Sequence, residues 1–260
     1  MCATALLQLP LAPAADRTRP VNEPSRRTYM DRIVAQPMSH LGAAWLVRPN
    51  RNDEENAEAS FEALNIKPGD TVVDLGCGNG YWTIPMAKAC ADTDSVNNEP
   101  TDDDDDGSAT EQLSGVVLAV DIQPEMLQKL RRNLLKRRIT NVRPILGTVS
   151  DPKLPAGQVD LVLMVDVYHE FSHPESMLWS IRESLTPTGV VALLEYRAED
   201  PTVPIKPLHK MSKTQIMKEY QANGFKLVRE VNSLPWQHLM FLARDDSPLP
   251  AIEPKPFSAD

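Results

Sequence analysis

From residue 71 onward the chain alternates short apolar runs with amphipathic stretches. TVVDL (71–75) is β-branched and ends in glycines. VVLAVD (116–121), VRPIL (142–146), DLVLMVD (160–166) and VVALLEY (190–196) repeat the theme, and the fourth run carries no internal polar alternation. Such runs are strands covered on both faces. Between them, 79–90, 123–138, Pro174 to Leu185 and Lys213 to Asn223 have helical spacing. The second buries Met126, Leu127, Leu130, Leu134 and Leu135, and the last is stopped by Gly224. KLVREV (226–231) and WQHLMFLA (236–243) close the series as a hairpin. Alternating strands and helices predict an α/β fold: a Rossmann-like doubly wound sheet of seven strands, mostly parallel with an antiparallel terminal strand.

This domain spans 67–245, entered through the turn Lys67-Pro68-Gly69-Asp70. Ahead of it, 26–66 reads as an N-terminal helical lid. Tyr29, Ile33, Val34 and Met38 recur at roughly helical spacing over Thr28 to His40, with Pro37 kinking or ending that helix. A second helix covers 52–65, capped by Asn52 or Asp53, with Phe61 and Leu64 facing inward. Residues 1–25 are rich in Pro and Ala and read as a disordered tail. The alternative is the remnant of a signal segment, since an apolar run precedes Ala14-Ala15, although no Lys or Arg precedes that run. Residues 246–260 form a second tail.

Composition changes this picture at one place. The net charge of −9 is carried by the stretch 92–111, which holds Asp92, Asp94, Glu99, Asp102 to Asp106 and Glu111 and no base. The rest of the chain is about neutral. A disordered acidic insertion over 92–112 follows, and no basic face for nucleic acid emerges. The run Lys129, Arg131, Arg132, Lys136, Arg137 and Arg138 is read as a solvated helix face. The cysteines Cys2, Cys77 and Cys90 include no CxxC pair, which argues against a zinc site or a disulfide framework and for a reducing compartment. No apolar run reaches the roughly 18 residues of a membrane span.

The chemistry concentrates at Val73-Asp74-Leu75-Gly76-Cys77-Gly78-Asn79-Gly80-Tyr81, between a strand and a helix. Glycines there permit positive φ and close backbone approach, and free N–H groups face a ligand at the carboxyl end of the sheet. The spacing is G-x-G-x-G, not the G-x-G-x-x-G of a dinucleotide site, because Tyr81 stands at the third position of that pattern. A ligand with an amino-acid end and a ribose suits it better: Asp74 can meet an ammonium, and Asp121, ending the next strand, can accept both ribose hydroxyls.

DLGCGNGYW, VDIQPEML and DLVLMVDVYHEF together resemble the motifs of class I S-adenosylmethionine (SAM)-dependent methyltransferases. The likeness is to the branch around ubiquinone/menaquinone C-methyltransferases and small-molecule O-methyltransferases, over roughly 60–245. It implies SAM as cofactor, with Asp74 and Gly76 at its methionine end, Gly78 and Gly80 passing beneath it along the loop of Cys77, Asn79 and Tyr81, Asp121 on the ribose and Ile122 against the adenine. Where many relatives carry an adenine-binding Asp, this chain has Thr148, so backbone groups or Asp151 take over that contact. Asp166 and Val167 end the fourth strand and project over the sulfonium.

Methyl transfer is an in-line displacement for which a protein positions the acceptor and, where required, removes a proton. His169 is the natural base, Glu170 orients it or is itself the base, and Tyr168 lines the cofactor or orients the acceptor. The alternative is that Tyr168 and His169 only wall the pocket. No Asn/Asp-Pro-Pro-Tyr/Phe stretch of amino-methylating enzymes is present, no cysteine cluster supports arsenic methylation, and no oxygen-ligand set for a metal stands out. The acceptor pocket is expected between 29–45 and the Pro-rich loop from Glu195 to Met211, where Arg197, Lys206, His209 and Lys210 suit an anionic acceptor. The expected function is SAM-dependent methylation of a small molecule at oxygen or carbon, in the cytoplasm. A non-catalytic SAM-binding module is the second reading, and a nucleotide-dependent oxidoreductase is disfavoured by the glycine spacing.

Overall fold

The computed structural model describes Pro20 and residues 23–91 and 114–257. The acidic insertion and most of the N-terminal tail lie outside the described residues.

The N-terminal segment departs from the helical expectation. Thr28–Tyr29 (β1) and Arg32–Ile33 (β2) form a small antiparallel hairpin. Met30 and Asp31 turn it with φ of 44° and 76°. Side chains with a Cβ occupy that region at a cost, offset here because Lys218 Nζ donates to Asp31 and Gln215 Nε2 to the Met30 carbonyl. The helical spacing of Tyr29, Ile33 and Val34 was therefore misleading: these residues pack a strap, not a helix face. One-turn 3-10 segments at His40–Gly42 and Trp45–Val47 continue it. The helix expected over 52–65 is two, Arg51–Glu55 (α1) and Ala57–Leu64 (α2). Asn56, at φ 50°, ends the first and caps the second by accepting from Ala59 N.

The sheet follows the expected series. Thr71–Leu75 is β3, followed by α3 (Thr83–Cys90), β4 (Val116–Asp121), α4 (Pro124–Arg137), β5 (Val142–Leu146), β6 (Val159–Val165), α5 (Pro174–Ser184), β7 (Leu185–Arg197), β8 (Lys210–Met211), α6 (Lys213–Ala222), β9 (Phe225–Val231) and β10 (Gln237–Arg244). The strand order is β5-β4-β3-β6-β7-β10-β9. Strands β5 to β7 in that order run parallel, and β10 is inserted antiparallel between β7 and β9. Short β8 adds an eighth strand beside β7. The order reverses between β4 and β6 around β3, and the strand ends there form the crevice where ligands of open α/β sheets bind.

Both faces of the sheet are covered. Val73, Leu118, Val162 and Val191 pack against α5 and α6 through Leu178, Ile181 and Tyr220, while Val72, Val117, Leu163 and Phe241 face α3 and α2. The C-terminal tail is also packed: Ser247 Oγ donates to the Pro187 carbonyl and Ile252 N to that of Leu227. No helix among the described residues is long and apolar enough to cross a membrane.

Strand β7 starts earlier than its apolar run, immediately after α5, and Gly189 makes this possible. A Cβ there would lie 2.5 Å from the Val159 carbonyl oxygen, a backbone atom that cannot swing away. Gly189→Ala should therefore cost about 1–3 kcal/mol in urea unfolding, the range of core overpacking. An unchanged midpoint would show that β6 and β7 do not approach this closely.

Candidate active site

Two cavities meet above the carboxyl ends of β3, β4 and β6. The first, about 400 Å³, is lined by Gly76, Gly78, Asp121, Ile122, Thr148 and Val167, among others. The second, about 530 Å³, is lined by Trp45, Tyr196, Ile205, His169 and His209 with their neighbours. Met38, Leu46, Asp166 and Glu170 border both. These volumes are typical of small-ligand sites.

In the first cavity the glycine loop is held from behind. Gly76 and Cys77 donate their N–H groups to the Val120 carbonyl, and Gly78 N donates to Asp121 Oδ2 at 3.0 Å. Gly76 and Gly78 have φ of 81° and 53°. An added Cβ would come within 2.7 Å of Val167 and 2.6 Å of Leu46 respectively, so only glycine keeps the loop's upper face open. Asp121 Oδ1 accepts from Gln123 N at 2.8 Å. Burial raises its pKa, against the pull of these backbone donors. Two backbone bonds orient the carboxylate and leave it acceptor capacity toward the cavity.

Other predicted cofactor residues lie behind the loop, outside both cavities. Asp74 is buried and accepts from Thr83 Oγ1, so its carboxylate holds the start of α3 instead of meeting a ligand. Burial pushes its pKa up to about 6, against the Thr83 bond. Cys77 packs with Leu127 and Leu130, and its thiol is pushed well above the usual range by burial. Gly80, φ 94°, lets α4 approach: a Cβ there would meet Leu130 at 2.5 Å. Asn79 donates to the Ala43 carbonyl and Tyr81 carries the Arg51 guanidinium 4.2 Å above its ring. These side chains brace the loop; its backbone faces the cavity. Thr148 lines the cavity, but its Oγ1 already accepts from Asp151 N and Ser150 N.

The fourth-strand residues are separated by their backbone. Asp166 adopts φ 53°, a strained position typical of functional sites, with both carboxylate oxygens accepting from Gln237 Nε2 at 2.9 Å. Burial, with Glu55 and Glu195 nearby, raises its pKa well above the usual carboxylate value. Tyr168–Glu170 then forms one 3-10 turn, whose successive side chains point about a third of a turn apart. Tyr168 consequently leaves the site. It is fully buried, lines neither cavity, and donates its hydroxyl to Glu219 at 2.7 Å, which removes it as a catalytic candidate.

His169 reaches the second cavity from below. Its Nδ1 lies 2.6 Å from Glu195 Oε2, and its Nε2 lies 3.0 Å from His209 Nδ1 and 3.9 Å from Glu170 Oε1. Glu195 is fully buried and also accepts from the backbone N–H groups of Tyr168 and His169. Burial by itself would lower the His169 pKa; the Glu195 carboxylate overrides it, and the net shift is upward. Glu170 accepts from Met38 N, and burial pushes its pKa up to about 7. His209 moves the other way, lowered by burial and by His169 and Lys206.

Glu195 and His209 were not singled out as members of this group from sequence. The signal for Glu195 was present: one charge inside the apolar run VVALLEY is costly unless paired. His209 carries no local signal, since only the return of the loop after β7 brings it 3.0 Å from His169.

The strap crosses above this group. Ala35 N and Arg32 Nη1 both donate to the His169 carbonyl, and Arg32 pairs with Glu219 through two bonds of 2.6 and 3.0 Å. Gln123 clamps the far side, accepting from His40 N and donating to the Met38 carbonyl.

Residues 66–240 match a family model described as "Methyltransferase domain". The chain belongs to this family of methyltransferase domains. Its relatives include (S)-coclaurine N-methyltransferase of Thalictrum flavum subsp. glaucum, 25% identical over 134 residues, covering 52% of this chain and 31% of that protein. The ribosomal protein L11 methyltransferase of Thermus thermophilus is 30% identical over 137 residues, covering 52% of this chain and 42% of that protein. The chain thus spans less than half the length of either relative. Among solved structures, a SAM-dependent methyltransferase from Aquifex aeolicus superposes with a TM-score of 0.66 at 20% identity, over 79% of this chain and 98% of that one.

Removing the Asp121 carboxylate should weaken SAM binding about 10- to 100-fold by calorimetry, the loss of a charge-assisted pair of hydrogen bonds. Retained affinity in Asp121→Ala would refute the ribose assignment. A second expectation follows from Glu170, which ionises at about 7 in the fold against a reference of 4.5. Between those values the folded state holds more protons than the unfolded state, so this group's contribution to stability falls as pH rises. Glu170→Gln should gain stability relative to wild type as pH rises from 4.5 to 7, with the gain levelling above 7. A pH-independent difference between their urea midpoints would contradict the shifted pKa.

Proposed function

We propose that this enzyme methylates a small molecule, at oxygen or at an acidic carbon, held in the second cavity. The observation that carries the reading is the shared wall of the two cavities at Asp166 and Glu170, with the Glu195-braced His169 beneath it. Trp45, Leu46, Tyr196, Pro204 and Ile205 give the second cavity an apolar lining suited to a flat or aliphatic acceptor, and Lys206 adds a positive charge at its edge. A pocket of this size below a strap takes a compact ligand more readily than a folded protein or a duplex.

The first cavity fits SAM on its own geometry: a glycine floor with no room for a Cβ, and a two-bond-oriented carboxylate at the head of β4. Asp121 would take the ribose hydroxyls, Ile122 would lie against the adenine, and the backbone at Gly76 and Gly78 would pass beneath the ligand. Bound there, the cofactor supplies an electrophilic methyl group on a cationic sulfonium. Asp166 and Glu170 stand on the shared wall with raised pKa values, and a cation placed beside them would favour their ionised forms.

The protein's part in the reaction is then positioning and proton removal. Glu195 accepts the Nδ1–H of His169, fixing the tautomer that presents a lone pair at Nε2. Nε2 receives the acceptor's proton, and the resulting imidazolium is stabilised by the same carboxylate. His169 is the catalytic residue in this reading and Glu195 its positioning residue. His209 shares the proton through its 3.0 Å contact.

His169→Gln should lower kcat about 100- to 10,000-fold, the usual contribution of general base catalysis, while SAM affinity stays within a few-fold. Glu195→Gln should lower the His169 pKa and so move the acidic limb of the kcat/KM profile to lower pH. Full turnover in His169→Gln with an identified acceptor would exclude proton transfer at this residue.

A further inference from the structure

Among the described residues, His169, Glu170 and His209 bring one ligating atom each to within 4.8 Å of one another. The spacing is close to that of a coordination shell. Transition-metal ions bind imidazole nitrogen and carboxylate oxygen at about 2.0–2.2 Å, which sets neighbouring ligand atoms roughly 3–3.5 Å apart at octahedral or tetrahedral angles. His169 Nε2 to His209 Nδ1 is 3.0 Å, and His169 Nε2 to Glu170 Oε1 is 3.9 Å. The Glu170 edge is longer than that range, so its carboxylate, now accepting from Met38 N, must approach the imidazoles on binding.

The surroundings favour a cation. His169 Nδ1 donates to the buried Glu195 carboxylate, the outer-shell partner that fixes the ring of a metal-bound histidine and makes its other nitrogen more basic. The Glu195 carboxylate lies 2.6 Å from the His169 ring, and Glu170 and Asp166 border the same cavity. All three ligands line the second cavity, so an ion held by them would face it, as in metal sites that bind a further ligand rather than close around the ion.

We propose that His169 Nε2, Glu170 and His209 Nδ1 bind one divalent first-row transition ion, of the class of Zn²⁺, Co²⁺ or Fe²⁺, open toward the second cavity. Two imidazoles and one carboxylate favour these ions over Mg²⁺ or Ca²⁺, which prefer all-oxygen shells. On binding, His209 carries its proton on Nε2, and any proton on His169 Nε2 or on Glu170 leaves to solvent. The ion occupies the lone pair that would otherwise take the acceptor's proton, so the metal-free and metal-loaded proteins differ in how they treat an acceptor hydroxyl. In the loaded form an acceptor oxygen meets the ion's open side and loses its proton to water.

The test is binding, independent of any acceptor. Full-length protein freed of metal by chelation is titrated with Zn²⁺ by calorimetry and with Co²⁺ by its ligand-field absorption. One equivalent should bind with micromolar affinity or better, and His209→Ala and Glu170→Gln should each weaken it at least about ten-fold. A far-ultraviolet circular dichroism spectrum matching wild type in both variants shows that they are folded. Absence of zinc binding in the wild type overturns the proposal. So does binding that persists unchanged in both variants, which would place the ion elsewhere, for example on the aspartates at 102–106. Loss of methyl transfer with metal binding intact would overturn the functional reading and leave this one standing.

Discussion

One buried carboxylate organises the active side of this molecule. Glu195 lies inside a strand, fully removed from solvent, and is satisfied by two backbone N–H groups and one imidazole of the turn that follows β6. An unpaired charge at that depth would cost several kcal/mol, so the turn must stay where it is. From that turn the connections spread outward. Tyr168 reaches Glu219 on α6, Glu219 takes Arg32, and Arg32 returns to the carbonyl of His169. The strap over the cavities is therefore tied to the same turn that carries the His169 imidazole.

The sequence made the sheet legible because its strands are buried on both faces and read as unbroken apolar runs. The glycine loop and Asp121 were legible for a similar reason: their chemistry lies in local spacing. The strap was not. Tyr29, Ile33, Val34 and Met38 have helical spacing only by coincidence, and the two left-handed residues between β1 and β2 are held by Lys218 and Gln215, almost two hundred residues away in the chain. No local pattern records such support.

Within the site, adjacency in sequence misled in one place and distance in another. Tyr168, His169 and Glu170 look like one constellation, yet a 3-10 turn keeps His169 and Glu170 on the second cavity and sends Tyr168 away to Glu219. Asp74, beside the glycines, braces a helix. Conversely His209 joins His169 across a Pro-rich loop that carries no motif. The shared lesson is that backbone conformation at a strand end decides which side chains meet a ligand, and residue type alone does not.

Gln123 has a consequence for coupling across this site. Its backbone N–H is bonded to Asp121, and its side chain holds both Met38 and His40 of the strap. A single residue thus joins the Asp121 end of one chamber to the strap that roofs the other. Any free energy gained at one end by ordering Gln123 returns, by reciprocity, as tighter engagement at the other. The coupling has no preferred direction: a ligand at either end that ordered Gln123 would leave the other end set to the same degree.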